Sequence, residues 1–279
     1  MLEHLNLKKP LLMGVLDITP DSFSDGGKYF QTENAIKHAK KLTDQGVDII
    51  DVGGESTRPD AKPVSEEEEL RRVIPVVEVL EKIKRQRSRE AKKQRKQNSF
   101  LISIDTYKSN VAQLALNAGA DIINDVSGLT MDPNMVQTAR DANCQIVIMH
   151  NKGIPATKPI SIEDRSGMSA TCPSSKNESN IVQEVYHWLQ KQTQYAINNG
   201  IKKENIIIDP GLGFGKTSEE DLYLIKNLDR FKPLGFPILI GPSRKSFIKK
   251  LFPNDDLETK SKELIKLAVS NGADIVRVH

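Results

Sequence analysis

Eight short apolar runs along the 279-residue chain end in side chains able to do chemistry: Asp17; Asp51, followed by "GGESTRP"; Asp105; Asn124 with Asp125; His150 with Asn151; Asp209; Ser243 with Arg244 and Lys245; and Arg277 with His279. One polar residue after an apolar run is ordinarily a cap or a bond to a loop. Eight brought to one rim would form a site with two chemical characters. Asp105, Asn124, Asp209 and Lys245 are donors and acceptors suited to a flat heterocycle. A buried carboxylate accepts paired bonds from an N–H and NH2 edge, and charge-assisted bonds are about twice as strong as neutral ones. Arg277 and His279 are directed to anions. With an oxygen ligand from Asp17 they suit a polyphosphate carrying Mg2+. "DPGLGFGK", residues 209–216, adds a glycine-rich turn that lets backbone approach a planar ligand closely.

Whether these residues meet depends on the elements that carry them. The apolar runs cover 11–17, 47–54, 100–106, 121–127, 145–151, 205–211, 237–243 and 274–279. Segments of helical period lie between them, near 33–45, 65–83, 108–118, 133–142, 178–199, 218–227 and 258–271. Continuous apolar runs are strands covered on both faces, and strict alternation with helices gives a parallel sheet with right-handed crossovers. Eight strands with seven helices between them predict a closed (β/α)8 TIM barrel as one domain over 1–279, expected to lack the last helix, ahead of a doubly wound sheet, whose nucleotide-binding form needs a GxGxxG that is absent from the first turn. In such a barrel the strand C-termini build the site, so the expected rim is the catalytic face. The basic block at 84–98, expected as an insertion leading from helix into strand, falls on the opposite face. The polar segment 152–177 follows the fifth strand and overhangs the site, either as a lid or as a simple insertion.

Composition narrows the classes further. The chain is 38% hydrophobic and 28% charged with a net charge of +3, an ordinary globular balance. It has no apolar run near the roughly 18 residues of a membrane span. Eight Lys or Arg stand against Glu90 in 84–97, but no aromatic residues interleave with them, so the expectation is a solvated surface and no nucleic-acid partner. The polar start after Met1 reads as lacking a secretory signal. Cys144 and Cys172 are too far apart for CxxC and read as reduced thiols. The expected location is intracellular and cytoplasmic, with the mitochondrion left open.

The motifs "MGVLDITPDSFSDGG", "DVGGESTRP", "SIDT", "INDVSG", "MHNKG", "DPGLGFGK", "PSRKSF" and "VRVH" occur in that order from Met13 to His279. In them the chain resembles the dihydropteroate synthase family, the pterin-binding barrels of folate biosynthesis. The resemblance implies condensation of 6-hydroxymethyl-7,8-dihydropterin pyrophosphate with 4-aminobenzoate to 7,8-dihydropteroate and pyrophosphate, with Mg2+. It implies a pterin grip from Asp105, Asn124, Asp209 and Lys245 and a slot lined by Met149, Gly213 and Phe214. Arg277, His279 and position 17 would attend pyrophosphate and metal, and Thr57, Arg58, Pro59, Ser243 and Arg244 would surround aminobenzoate. Position 17 is Asp where the family usually has Asn, which makes the expected Mg2+ ligand a carboxylate.

The catalytic set expected is Asp21, Asp25, Lys245 and Arg277, with the two loop acids favouring a pterin cation after pyrophosphate leaves. A homodimer is expected, and a place within a multifunctional folate-synthesis protein is compatible with the resemblance. A pterin-binding methyltransferase would share the pterin grip but has no use for the pyrophosphate and aminobenzoate motifs. A non-catalytic pterin-binding barrel is the other alternative.

Overall fold

A computed structural model describes residues 9–18, 28–56, 61–94, 100–152 and 179–279. All eight expected strands form: β1 Leu11–Asp17, β2 Ile49–Gly53, β3 Leu101–Asp105, β4 Ile122–Asp125, β5 Gln145–Met149, β6 Ile206–Asp209, β7 Leu239–Ile240 and β8 Ile275–Val278. They alternate with α1 Lys28–Asp44, α2 Glu66–Gln94, α3 Ser109–Ala118, α4 Met135–Ala142, α5 Ser179–Asn198, α6 Ser218–Lys226, α7 Ser246–Leu251 and α8 Leu257–Ser270. The parallel sheet runs β6-β5-β4-β3-β2-β1-β8-β7. A single parallel bridge, Ile208 to Ile238, joins its two ends, with the Ile208 amide donating to the Pro237 carbonyl at 3.0 Å. The fold is the (β/α)8 barrel.

Two differences from the sequence expectation have local causes. Helix α2 continues to Gln94, through most of the segment expected as an insertion. Residues 76–94 contain no Gly or Pro and are rich in Lys, Arg, Gln and Glu, all good helix formers. This extension is also tied to the barrel: Lys84 Nζ bonds Asp121 Oδ2 at 2.9 Å and the Gly119 carbonyl at 3.1 Å, and Arg87 Nη1 bonds the Thr43 carbonyl at 3.0 Å. Strand β7 shrinks to two residues because Pro237 and Pro242 on either side have no N–H for a ladder.

Alternation along each strand sorts two cores. Leu11, Met13, Ile49, Ile122, Val147, Ile207, Leu239 and Ile275 pack together inside the barrel. Their outward neighbours, such as Leu16, Ile50, Ile123, Ile146 and Val276, pack beneath the helices. Further along the inward face toward the strand C-termini, the residue type turns polar. Asp17, Gly53, Asp105 and Asn124 stand side by side in register across β1 to β4, and Met149 stands beside Asp209 across β5 and β6. The buried interior therefore ends where the chemistry begins.

One turn recurs on the opposite face. "GVDII" at 46–50, "GADII" at 119–123 and "GADIV" at 272–276 each lead a helix into a strand. Each glycine has a left-handed φ (+81°, +118° and +100°), which closes the helix C-terminus. Each following Asp then grips one residue of the preceding strand in sequence. The Asp48 amide donates to the Leu12 carbonyl while Asp48 Oδ2 accepts the Leu12 amide at 2.9 Å, and Asp121 with Ile102 and Asp274 with Ile238 repeat the reciprocal pair.

Candidate active site

The strand C-termini surround an open cleft lined by Asp105, Asn124, Val126, Met149, Asp209, Leu212, Phe214, Gly241, Lys245, Arg277 and His279. Eight of these carry the expected site residues, drawn from β3, β4, β5, β6 and β8 and the turns after β6 and β7. Asp17 sits at the end of β1 in the row with Asp105, outside the lining itself. Ser243 and Arg244 also stand outside it. Ser243 is buried and its Oγ accepts the His279 amide at 3.4 Å, whereas Arg244 is exposed, with φ +53° and its amide on Ser261 Oγ at 3.3 Å. Asp21, Asp25, Thr57, Arg58 and Pro59, with Cys172 and all but the start of the 152–177 segment, lie outside the described residues.

The polar side of the cleft is one connected network. Arg277 Nε donates to Asp51 Oδ2 at 2.7 Å and its Nη2 to Asp105 Oδ2 at 2.8 Å, while Asn124 Nδ2 donates to the same Asp51 oxygen at 3.0 Å. Burial lowers the guanidinium pKa, but the facing carboxylates of Asp51 and Asp105 outweigh it and push it up. Arg277 is thus a fixed cation. Burial, then the neighbouring Asp51 charge, raises the Asp105 carboxyl well above the usual range, against the pull of Arg277. Asp51 has no exposed surface and lies beneath the lining. In the sequence it is one of the eight strand ends of the expected rim with no role of its own, although its spacing of two from both Ile49 and Gly53 puts it on the inward face.

The opposite wall is apolar. Val126, Met149 and Phe214 form a small cluster of their own, with Tyr107 packed against it. Lys245 Nζ stands 4.8 Å from the Phe214 ring centroid. Burial and then the Arg277 charge lower the Lys245 pKa. Asp209 rises to about 6 through burial, opposed by the Gly211 amide and by Lys245.

The glycine turn after β6 holds Phe214 in place. Gly211 has φ +71° and lies so close to β5 that a Cβ there would meet the His150 carbonyl oxygen at 1.9 Å. Lys216, buried, donates to the Gly211 carbonyl at 2.6 Å and the His150 carbonyl at 3.2 Å, and the Gly213 amide bonds Asp221 Oδ1 at 2.9 Å. Thr217 caps α6 with a reciprocal bond to Glu220, the capping box. Lys216 and Asp221 went unread as site supports, since neither spacing nor composition distinguishes a buried Lys on carbonyls from a surface one.

Comparison with known proteins decides among pterin-site readings. The family described as "Pterin binding enzyme" matches residues 13–279. A dihydropteroate synthase of Bacillus subtilis is 39% identical over 274 residues, 98% of this chain and 84% of that protein. The chain belongs to the dihydropteroate synthase family. Among solved structures, the Xanthomonas albilineans dihydropteroate synthase with 4-aminobenzoic acid has a TM-score of 0.79 at 37% identity, over 98% of this chain and 88% of that one. The Anaplasma phagocytophilum dihydropteroate synthase with bound 6-hydroxymethylpterin-monophosphate has a TM-score of 0.80 at 36% identity, over 96% and 93% of the two chains.

Proposed function

We propose that the chain joins 6-hydroxymethyl-7,8-dihydropterin pyrophosphate to 4-aminobenzoate in the cleft between Asp105, Asn124, Asp209, Lys245 and Arg277. The observation carrying this reading is that those five groups line one cleft together with the apolar cluster of Val126, Met149 and Phe214, a combination of polar and apolar side chains that suits a pterin ring. Asn124 and the carboxylates of Asp105 and Asp209 read the amino and N–H edge of the ring, and Lys245 donates to a ring acceptor. With a pKa of about 6, Asp209 is ionised at neutral pH and accepts charge-assisted bonds.

Bond breaking places the electron pair of the methylene C–O bond on the departing pyrophosphate and leaves a cation delocalised over the electron-rich dihydropterin. Arg277 and His279, at the end of β8, stabilise the anion. The carboxylates on the ring edge favour the cation, an electrostatic effect worth up to several kcal/mol per group. The aminobenzoate nitrogen then attacks the methylene carbon and loses a proton, giving dihydropteroate.

Among the described residues no three acidic, His or Cys side chains converge as a ready metal cage. Mg2+ is commonly held by one or two carboxylates together with substrate phosphates and waters, and Asp17 stands at the strand C-termini in the row with Gly53 and Asp105. Asp17 would be the carboxylate, and the ion would supply Lewis-acid neutralisation of pyrophosphate oxygens. Asp21, Asp25 and Thr57 to Pro59 enter the reading on the sequence alone, as the loop acids and the aminobenzoate surround.

The test is a direct assay with pterin pyrophosphate, labelled 4-aminobenzoate and Mg2+. Labelled dihydropteroate with one pyrophosphate released per product is expected, and saturable pterin binding without product would overturn the reading.

A further inference from the structure

We propose that Asp51 is a positioning residue that sets Arg277 and Asn124 against each other, so that the anion end and the ring end of the substrate are gripped in register. The inference rests on the reading above. One oxygen, Oδ2, accepts both Arg277 Nε at 2.7 Å and Asn124 Nδ2 at 3.0 Å. The two donors come from β8 and β4, which are not neighbours in the sheet, so Asp51 joins them across the interior of the barrel. Asp51 has no exposed surface and is absent from the cleft lining, so it acts through the residues it holds. Its other oxygen, Oδ1, has no hydrogen-bond partner among the described residues.

The arrangement also divides Arg277 between two carboxylates. Nε is committed to Asp51 below the cleft and Nη2 to Asp105 on its wall, at 2.8 Å. A pterin edge that engages Asp105 competes for that second bond, and Nη2 is then available to phosphate oxygens while Nε keeps the group anchored. Without Asp51 the guanidinium would turn wholly onto Asp105, occupying the carboxylate the ring needs. Loss of Asp51 should therefore damage both ends of the pterin pyrophosphate site and leave the aminobenzoate site alone.

The test titrates inorganic pyrophosphate and 6-hydroxymethylpterin separately, with 4-aminobenzoate KM as the control. Arg277→Ala comes first: if it leaves pyrophosphate affinity unchanged, the assignment of Arg277 in the proposed function fails, independently of Asp51. Given a loss there, Asp51→Ala should weaken pyrophosphate by about tenfold and pterin by several-fold, and Arg277→Ala added to it should weaken pyrophosphate little further, because contacting residues are non-additive. Asp51→Asn keeps the volume and one acceptor oxygen, so it should recover most pterin affinity while pyrophosphate stays weakened; it also carries the double-variant cycle if Asp51→Ala does not fold. The 4-aminobenzoate KM should stay within about twofold in Asp51→Ala and Asp51→Asn. Additive losses in the cycle, or parental affinities for both ligands in a folded Asp51→Asn, overturn the proposal.

Discussion

Asp209 is a carboxylate that folding makes harder to ionise. Its pKa is about 6 in the folded chain, raised by burial, against 3.8 as the ordinary value. Between those values the folded state holds a proton that the unfolded chain has lost, so stability falls as pH rises through the window and the penalty is complete above about pH 6. Asp209→Asn removes that penalty while keeping an acceptor for the Gly211 amide. The ligand-free variant should be more stable than the parent at pH 7.5 by about 1–2 kcal/mol, less than the full shift implies because Lys245 loses a counter-charge, and the advantage should vanish near pH 4. Pterin affinity should fall at the same time, the usual conflict between stability and a binding site. Paired thermal melts across pH read the difference, which matters because His150 acts in the opposite sense. Burial, with Lys216 and Lys152, lowers its pKa to about 2, so stability is lost as pH falls below 6.5 in parent and variant alike. At this scale the sequence was legible where a residue touches the cleft, since polar residues ending eight apolar strands in turn are more than caps and loop bonds account for, although any one of them alone is not. It was illegible where a residue supports from beneath. Asp51 and Lys216 act through distances that only the closed barrel creates.

Among the elements, the recurring glycine and aspartate turn explains how short strands are kept in register. Strands of four to seven residues, with β7 at only two, offer few ladder bonds, and the reciprocal pairs of Asp48 with Leu12, Asp121 with Ile102 and Asp274 with Ile238 add a side-chain bond at the entry of three strand pairs. Replacing Asp48 or Asp274 by Ala should cost about 1 kcal/mol or somewhat more, since a strand amide loses its acceptor, and Asp121→Ala should cost more than either because Lys84 loses its partner as well. The three share no partner, so the triple variant should lose roughly the sum, about 3 kcal/mol or more. Because they lie on the face opposite the cleft, KM for both substrates should stay at the parental value. Denaturant titration and steady-state kinetics check the two halves, and a changed KM in a folded single variant would count against the separation of faces. The repeat was present in the sequence as a Gly-x-Asp-Ile pattern, yet periodicity analysis passes over it because it is a turn signal between two stronger ones. Helix α7 escaped for a similar reason: "SFIKKL" at 246–251 is under two turns and too short to show a period. The basic end of α2 was read by charge, and its helix-forming composition decided the outcome.

The molecule as a whole has an unequal circumference. Seven strand junctions are ladders, whereas β6 and β7 meet through one bridge and the Ile208 to Pro237 bond. The proline-flanked β7 cannot lengthen that junction, and β7 is held chiefly by its two-residue pairing with β8. Local opening follows the weakest set of bonds. The amide of Ile208 should therefore exchange faster than those of Ile50 and Ile104, which sit in the five-residue ladder between β2 and β3. The seam also lies beside the cleft, with Asp209 closing β6 on one side and Lys245 following β7 on the other. A ring held by both would bridge the weakest junction of the barrel and add its binding free energy to closure there. Saturating 6-hydroxymethylpterin should slow exchange at Ile208 and Leu239 by more than it slows exchange at Ile50, as read by hydrogen–deuterium exchange. Uniform slowing around the barrel would mean that ligand acts only through global stability, and faster exchange at Ile50 than at Ile208 would mean that the seam is not the point of opening.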